Sequence, residues 1–176
     1  MKILLQSHDD DAFLFSAFAA IREQALIVTV FDSYVQPSRG IPGTSARERE
    51  RETNRACIVL GLLWKRLNFR DDEMPTLHQV ASRLGEVVGP LNNHEIWAPA
   101  DEAYGHPQHN LLAPLGDHHY LTYTERGKSI CGREVPFEPA WVGLKLRALA
   151  AFESQFQAAT GCVEHFIGRS LREYEL

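Results

Sequence analysis

Lys2-Ile3-Leu4-Leu5-Gln6-Ser7-His8-Asp9-Asp10-Asp11-Ala12 opens the chain with a short apolar run that gives way at once to an imidazole and three carboxylates. The run Lys2–Gln6 predicts a short buried strand, and the charged residues after it a loop. Phe13, Leu14, Ala17, Phe18 and Ile21 then fall at helical spacing, which predicts a helix from Ala12 to about Glu23. Ala25–Phe31 is continuous, apolar and β-branched, and predicts a second buried strand. Strand, loop, helix and strand in this order open an α/β layered domain.

The loop itself carries chemistry. Three ionised carboxylates side by side repel one another, and a bound divalent cation is the simplest compensator. Adjacent side chains leave the backbone in different directions, so one of Asp10 and Asp11 can hold a metal while its neighbour faces a water on that metal. A lone aspartate here would more simply cap the helix that follows. The density of His8, Asp9, Asp10 and Asp11 is what favours the metal.

Outward from this stretch, Pro37, Gly40, Pro42 and Gly43 mark residues 32–45 as a loop. Ser45 or Thr44 is placed to cap a charged helix running to about Leu60, with Gly61 closing it. A loop around Phe69–Pro75 leads to a helix over Thr76–Val88. Strands are predicted at Glu95–Ala98 and His118–Thr124, and a last helix over about Pro139–Ala159 with Leu144, Leu146, Leu149, Phe152 and Phe156 as its apolar positions. The alternation predicts a largely parallel sheet, whose ligands sit at the carboxyl ends of the strands. That rule selects two loops, the one after Gln6 and the one after Ala98.

The second loop contains Gly105-His106-Pro107-Gln108-His109. Pro107 suits the start of a short helical turn, and residues i and i+3 share a face, so His106 and His109 can address one site. Zinc accepts histidine nitrogen and aspartate oxygen, and a catalytic site keeps three protein ligands with one position open. His8, Asp11 and one of the two loop histidines make such a set; spacing alone does not choose between them. His118-His119 is a competing pair, read here as the entry to a strand because Tyr120-Leu121-Thr122-Tyr123 alternates.

The totals narrow the classes. At 176 residues the chain predicts one domain, 1–176, and its 44% hydrophobic and 23% charged residues are those of an ordinary globular protein. A formal charge of -5 gives no electrostatic reason to expect nucleic acid or an anionic membrane. No stretch approaches the roughly 18 apolar residues that span a bilayer, and the short N-terminal run does not fit a signal peptide. Cys57, Cys131 and Cys162 are few, odd in number and far apart, which suits reduced thiols in a reducing compartment; the expectation is a cytoplasmic protein.

Taken together, the two loops resemble those of the LmbE-like, or PIG-L-type, de-N-acetylases, zinc-dependent enzymes with a Rossmann-like fold that remove acyl groups from amino sugars and related amines. The family's first signature is His-Pro-Asp-Asp-Glu, set against His8-Asp9-Asp10-Asp11-Ala12; the second is of the type Gly-His-Pro-Asp-His, set against Gly105-His106-Pro107-Gln108-His109. Weaker likenesses are Arg49-Glu50-Arg51-Glu52 with Ala56 and Leu60-Gly61, Phe69-Arg70-Asp71, and Lys145 with Ala148-Leu149, Phe152 and Ser154-Gln155. The resemblance implies a three-layer α/β/α fold with a mostly parallel sheet. It also implies a small-molecule N-acyl amine or amino-sugar substrate and a zinc ion, replaceable by another divalent metal such as Fe2+. By residue, it implies His8, Asp11 and His109 as metal ligands, Asp10 as general base, His106 as support for the oxyanion or leaving group, and Arg49 and Asp71 as contacts to substrate hydroxyls.

Asp9 and Ala12 depart from the first signature, and Ala12 removes a carboxylate that would order the loop. These departures imply a looser grip on the metal and support the rival reading, a non-catalytic ligand-binding or regulatory domain. The chain is also short for the family, which implies trimmed substrate loops. The resemblance implies Glu52 as the helix partner of Arg49, while the other residues of the Arg47–Arg55 charge run read as a solvated helix face, and Trp64, Trp97 and Trp141 as core anchors.

Overall fold

Strand β1 (Lys2–Gln6) is central in the sheet because both of its faces are apolar: Leu4 packs into one core, and Ile3 and Leu5 into another. A computed structural model describes residues 1–33, 43–102, 106–121, 132–158 and 173–175. In chain order its main elements are β1, α1 (Asp11–Phe15), α2 (Ala17–Glu23), β2 (Leu26–Asp32), α3 (Ala46–Leu60), β3 (Trp64–Arg70), α4 (Leu77–Val88), β4 (Glu95–Pro99), α5 (Pro107–Leu112), β5 (His118–Tyr120), β6 (Arg133–Glu134), α6 (Pro139–Leu149), α7 (Glu153–Ala158) and β7 (Tyr174–Glu175). The sheet order is β3-β2-β1-β4-β5-β7-β6. The first five strands are parallel, and β7 and β6 extend that sheet antiparallel.

Helices cover both faces, giving three α/β/α layers. One core joins Leu4, Ile27 and Trp97 of the sheet to α1, α2, α3 and α6; the other joins Ile3, Leu5, Val28, Val30 and Ile96 to Val80 and Leu84 of α4 and Leu112 of α5. The strand order reverses between β1 and β4, which pair directly. The loops leaving those two strands therefore flank the topological switch point, where such sheets bind ligands.

The sequence placed β1, β2 and β4 to within a residue or so of their bounds. Strand β3 was not predicted, because its apolar residues do not alternate cleanly. Asn68 sits at φ 61, and the register passes from Thr29↔Arg66 to Phe31↔Phe69, so β3 carries a bulge. The predicted helix 12–23 is two helices, broken at Ser16 (φ -149). Glu173, far along the chain, accepts the Phe18 and Ala19 N–H groups at 2.8–3.2 Å and so caps α2. The last predicted helix is likewise two, α6 and α7. Most of the loop 32–45, the strand end 122–124, Gly105, Cys131, Cys162 and the helix end at Ala159 lie outside the described residues.

Helix α3 starts as predicted, at Ser45, in a capping box: Ser45 Oγ accepts the Glu48 N–H and the Glu48 carboxylate accepts the Ser45 N–H. Gly61 at φ 69 ends it. Ser45→Ala is expected to cost about 1 kcal/mol, read as a lowered urea midpoint with an unchanged slope.

Candidate active site

The loop after β1 is built by a buried amide. Gln6, at the end of β1, is fully buried. Its Oε1 accepts the Ala12 N–H at 2.9 Å, and its Nε2 donates to Thr29 Oγ1 at 2.6 Å. Loop ordering that the family signature assigns to a glutamate at position 12 is thus supplied from position 6. Asp9 faces away from the site: Arg66 Nη2 donates to both of its oxygens at 2.6 and 2.7 Å, tying the loop to β3. Burial raises the Asp9 pKa despite this pairing with Arg66.

Asp10 stands at the N-cap position of α1, yet its side chain makes no capping hydrogen bond. Arg49 Nη2 instead lies 3.0 Å from Asp10 Oδ1. Asp11 Oδ2 accepts the His8 backbone N–H at 2.7 Å, which fixes that oxygen in place.

From the other side of the switch point comes α5, which starts at Pro107 after the extended residue His106 and carries His109, 1% exposed. His109 Nε2 lies 3.1 Å from Asp11 Oδ2 and 3.4 Å from His8 Nδ1, and His8 Nδ1 lies 3.3 Å from the same Asp11 oxygen. Among the described residues this is the group of histidines and carboxylates that could hold a metal. The triangle has the right size: bonds of about 2.0–2.1 Å in a tetrahedron separate the ligands by roughly 3.3–3.4 Å. The two imidazoles and one carboxylate suit zinc.

The electrostatics agree with the geometry. Burial lowers the His8 pKa, but Asp11, Asp71 and Asp10 outweigh it and push the ring up to about 11. Burial raises the Asp11 pKa, but His109 and His8 outweigh it and hold the carboxyl well below its usual range. The carboxylates of Asp11, Asp71 and Asp10 therefore favour positive charge at His8, where a cation would sit. His106 is exposed, with its ring centroid 5.0 Å from that of His8. Its pKa is lowered by burial and by His8 and His109.

Neither a protein-family model nor a curated protein sequence matches the chain; the likenesses are structural. A deacetylase triple mutant of the teicoplanin biosynthetic pathway superposes with a TM-score of 0.71 at 17% identity, covering 96% of this chain and 88% of that one. The N,N'-diacetylchitobiose deacetylase of Pyrococcus horikoshii superposes at 0.66 and 21% identity, covering 88% and 70%. This is the deacetylase fold.

The deacetylase fold also carries other chemistry, so fold alone does not settle activity. The 4-carboxy-2-hydroxymuconate hydratase of Pseudomonas putida superposes at 0.55 and 16% identity, covering 97% of this chain and 82% of that one. The site has to carry the argument. The fold brings His8, Asp10, Asp11, His106 and His109 together with Asp71, whose Oδ1 is 3.6 Å from His8 Nε2. Arg49 is 2% exposed and sits behind Asp10, with Glu52 3.5 Å away on its other side. Glu52 in turn accepts the Ser154 N–H and Oγ–H at 2.8 and 2.7 Å.

Three participants escaped the sequence reading: Gln6, Arg66 and Gln108. Gln6 left a signal, being polar at the end of an apolar strand, and Gln108 sits between two singled-out histidines. Arg66 left none, because its burial depends on Asp9, which is 57 positions away. Arg49 and Glu52 share the buried stripe of Ala56 and Leu60, while Arg47, Glu50, Arg51 and Arg55 are exposed as expected. Trp97 is buried, Trp64 and Trp141 pack partly buried against the same core, and Trp64 Nε1 donates to Thr29 Oγ1 at 2.8 Å. Burial and the charge of Asp9 push the Cys57 thiol up to about 12, so it is an inert core group.

Proposed function

We propose that this chain is a zinc-dependent hydrolase that removes an N-acyl group, an acetyl group in the simplest case, from an amino sugar or related amine. The observation that carries this reading is the His8–Asp11–His109 triangle with Asp10 beside it, on a fold shared with deacetylases. When bound, the ion would polarise the acyl carbonyl and lower the pKa of a water. Asp10 takes a proton from the attacking water and returns it to the departing amine. Arg49 holds Asp10 Oδ1, so the proton is carried on Oδ2. His106 Nδ1 accepts the Gln108 backbone N–H at 3.4 Å, which leaves Nε2–H as the donor to the developing oxyanion. Asp71 Oδ1 accepts from Gln108 at 2.9 Å, so the oxygen Asp71 offers to a substrate hydroxyl is Oδ2.

The test is metal content paired with amine release. Purified protein is expected to hold about one zinc per chain, and chelation to abolish release of amine from N-acetylglucosamine conjugates, with zinc restoring it. In the metal-free protein the His8 ring is protonated at neutral pH, so metal uptake displaces a proton and affinity falls as pH falls. Metal without turnover across a broad panel of N-acyl amines would favour the non-catalytic rival, which the Asp9 and Ala12 departures support.

A further inference from the structure

Gln108 stands where the second signature of the resembled family has an aspartate, and it spans the gap between His8 and Asp71. Its Nε2 donates to the Asp71 backbone carbonyl at 3.0 Å and to Asp71 Oδ1 at 2.9 Å. Its Oε1 lies 2.5 Å from His8 Nε2. The amide orientation follows from the partners, because a carbonyl oxygen can only accept, so the amide nitrogen has to face Asp71. The amide oxygen then faces His8, and it too can only accept. His8 Nε2 must therefore keep its hydrogen, so Nδ1 is the nitrogen that gives up its own and offers a lone pair to an ion held between Asp11 and His109.

We propose that Gln108 is a positioning residue that locks His8 in its metal-binding tautomer and ring orientation, with Asp71 as its anchor. The inference rests on the metal reading above. It changes the part that Asp71 plays, since Oδ1 is already engaged in holding Gln108. The relay also ends in a neutral amide on the His8 side, whereas a carboxylate there would make the imidazole a more basic ligand. Gln108 is 3% exposed, so water does not readily substitute for it.

The experiment is competition for zinc against a chromophoric chelator, for wild type, Gln108→Met and Asp71→Asn. Methionine keeps the volume and removes all three side-chain hydrogen bonds, and is expected to weaken zinc binding about 10–100-fold. Asp71→Asn preserves the backbone carbonyl and an Oδ1 acceptor, and its zinc affinity is expected to stay within about threefold of wild type. Cobalt-substituted protein gives the readout that a merely structural role would not move. The ligand-field spectrum of Gln108→Met should shift, because the His8 ring is free to turn, while the thermal midpoint of its metal-free form stays near that of wild type. A wild type that takes up no ion overturns the metal reading itself. A wild type that binds zinc, with Gln108→Met binding it equally and giving the same cobalt spectrum, overturns the role of Gln108 and leaves the metal reading intact.

Discussion

Asp10→Asn is expected to keep the metal and lose turnover by about 10²–10⁴-fold, the usual contribution of a positioned general base. Asparagine has the shape of aspartate and keeps an Oδ1 acceptor for Arg49, which lies 3.0 Å away. It cannot take a proton from water. Asp10 is not among the proposed metal donors, His8, Asp11 and His109, so zinc content should be unchanged. The loss should appear in kcat more than in KM, because the missing interaction belongs to the transition state. Full activity of Asp10→Asn on the best substrate would remove Asp10 from the base role. Arg49 is buried and would keep Glu52 at 3.5 Å as its carboxylate partner, so a modest drop in the thermal midpoint is expected alongside.

Glu173→Ala is expected to destabilise the protein by about 3–5 kcal/mol, the cost of leaving one partner of a buried ion pair behind. Lys145 and Glu173 are both fully buried, with Nζ 2.5 Å from Oε1. Without Glu173, the ammonium would keep the Leu14 carbonyl at 3.0 Å and the face of Phe18 at 4.7 Å, and both are uncharged. The α2 N–H groups of Phe18 and Ala19 would lose their cap in the same change. Urea denaturation measures the loss, and adding Lys145→Met to Glu173→Ala should recover part of it by removing the orphaned charge. The pH dependence has a definite sign. Burial lowers the Lys145 pKa below 10.5, more than Glu173 raises it. Between the lowered value and 10.5 the unfolded chain binds more protons, so the contribution of Lys145 to stability rises with pH through that window. A loss under about 1 kcal/mol would mean that water reaches the pair.

The candidate site was legible where chemistry is concentrated in one short segment. Four charged or ligating residues after an apolar strand announce a site whatever surrounds them, because the repulsion among carboxylates is local. His109 is different. Spacing gave His106 and His109 equally, and the family resemblance chose between them; in the fold, His109 Nε2 stands 3.1 Å from Asp11 Oδ2 on a buried helix face, while His106 is exposed at its start. Asp9 reverses an expectation: counted with the metal loop in sequence, it is spent on Arg66 and adds no charge at the triangle.

The sequence by itself determined the layered α/β class, the two loops at the strand ends, and His8 and Asp11 as a candidate metal pair. These follow from periodicity and local charge, which act over a few residues. Only the tertiary structure decided strand β3, the break at Ser16, the burial of Arg49 and Arg66, and the chain from Asp71 through Gln108 to His8. Each of these depends on a partner brought close by folding: Glu173 is 155 positions from Phe18, and Gln108 is 100 from His8. A buried charge or amide holds its place only when that distant partner satisfies it, and no local pattern records where the partner is.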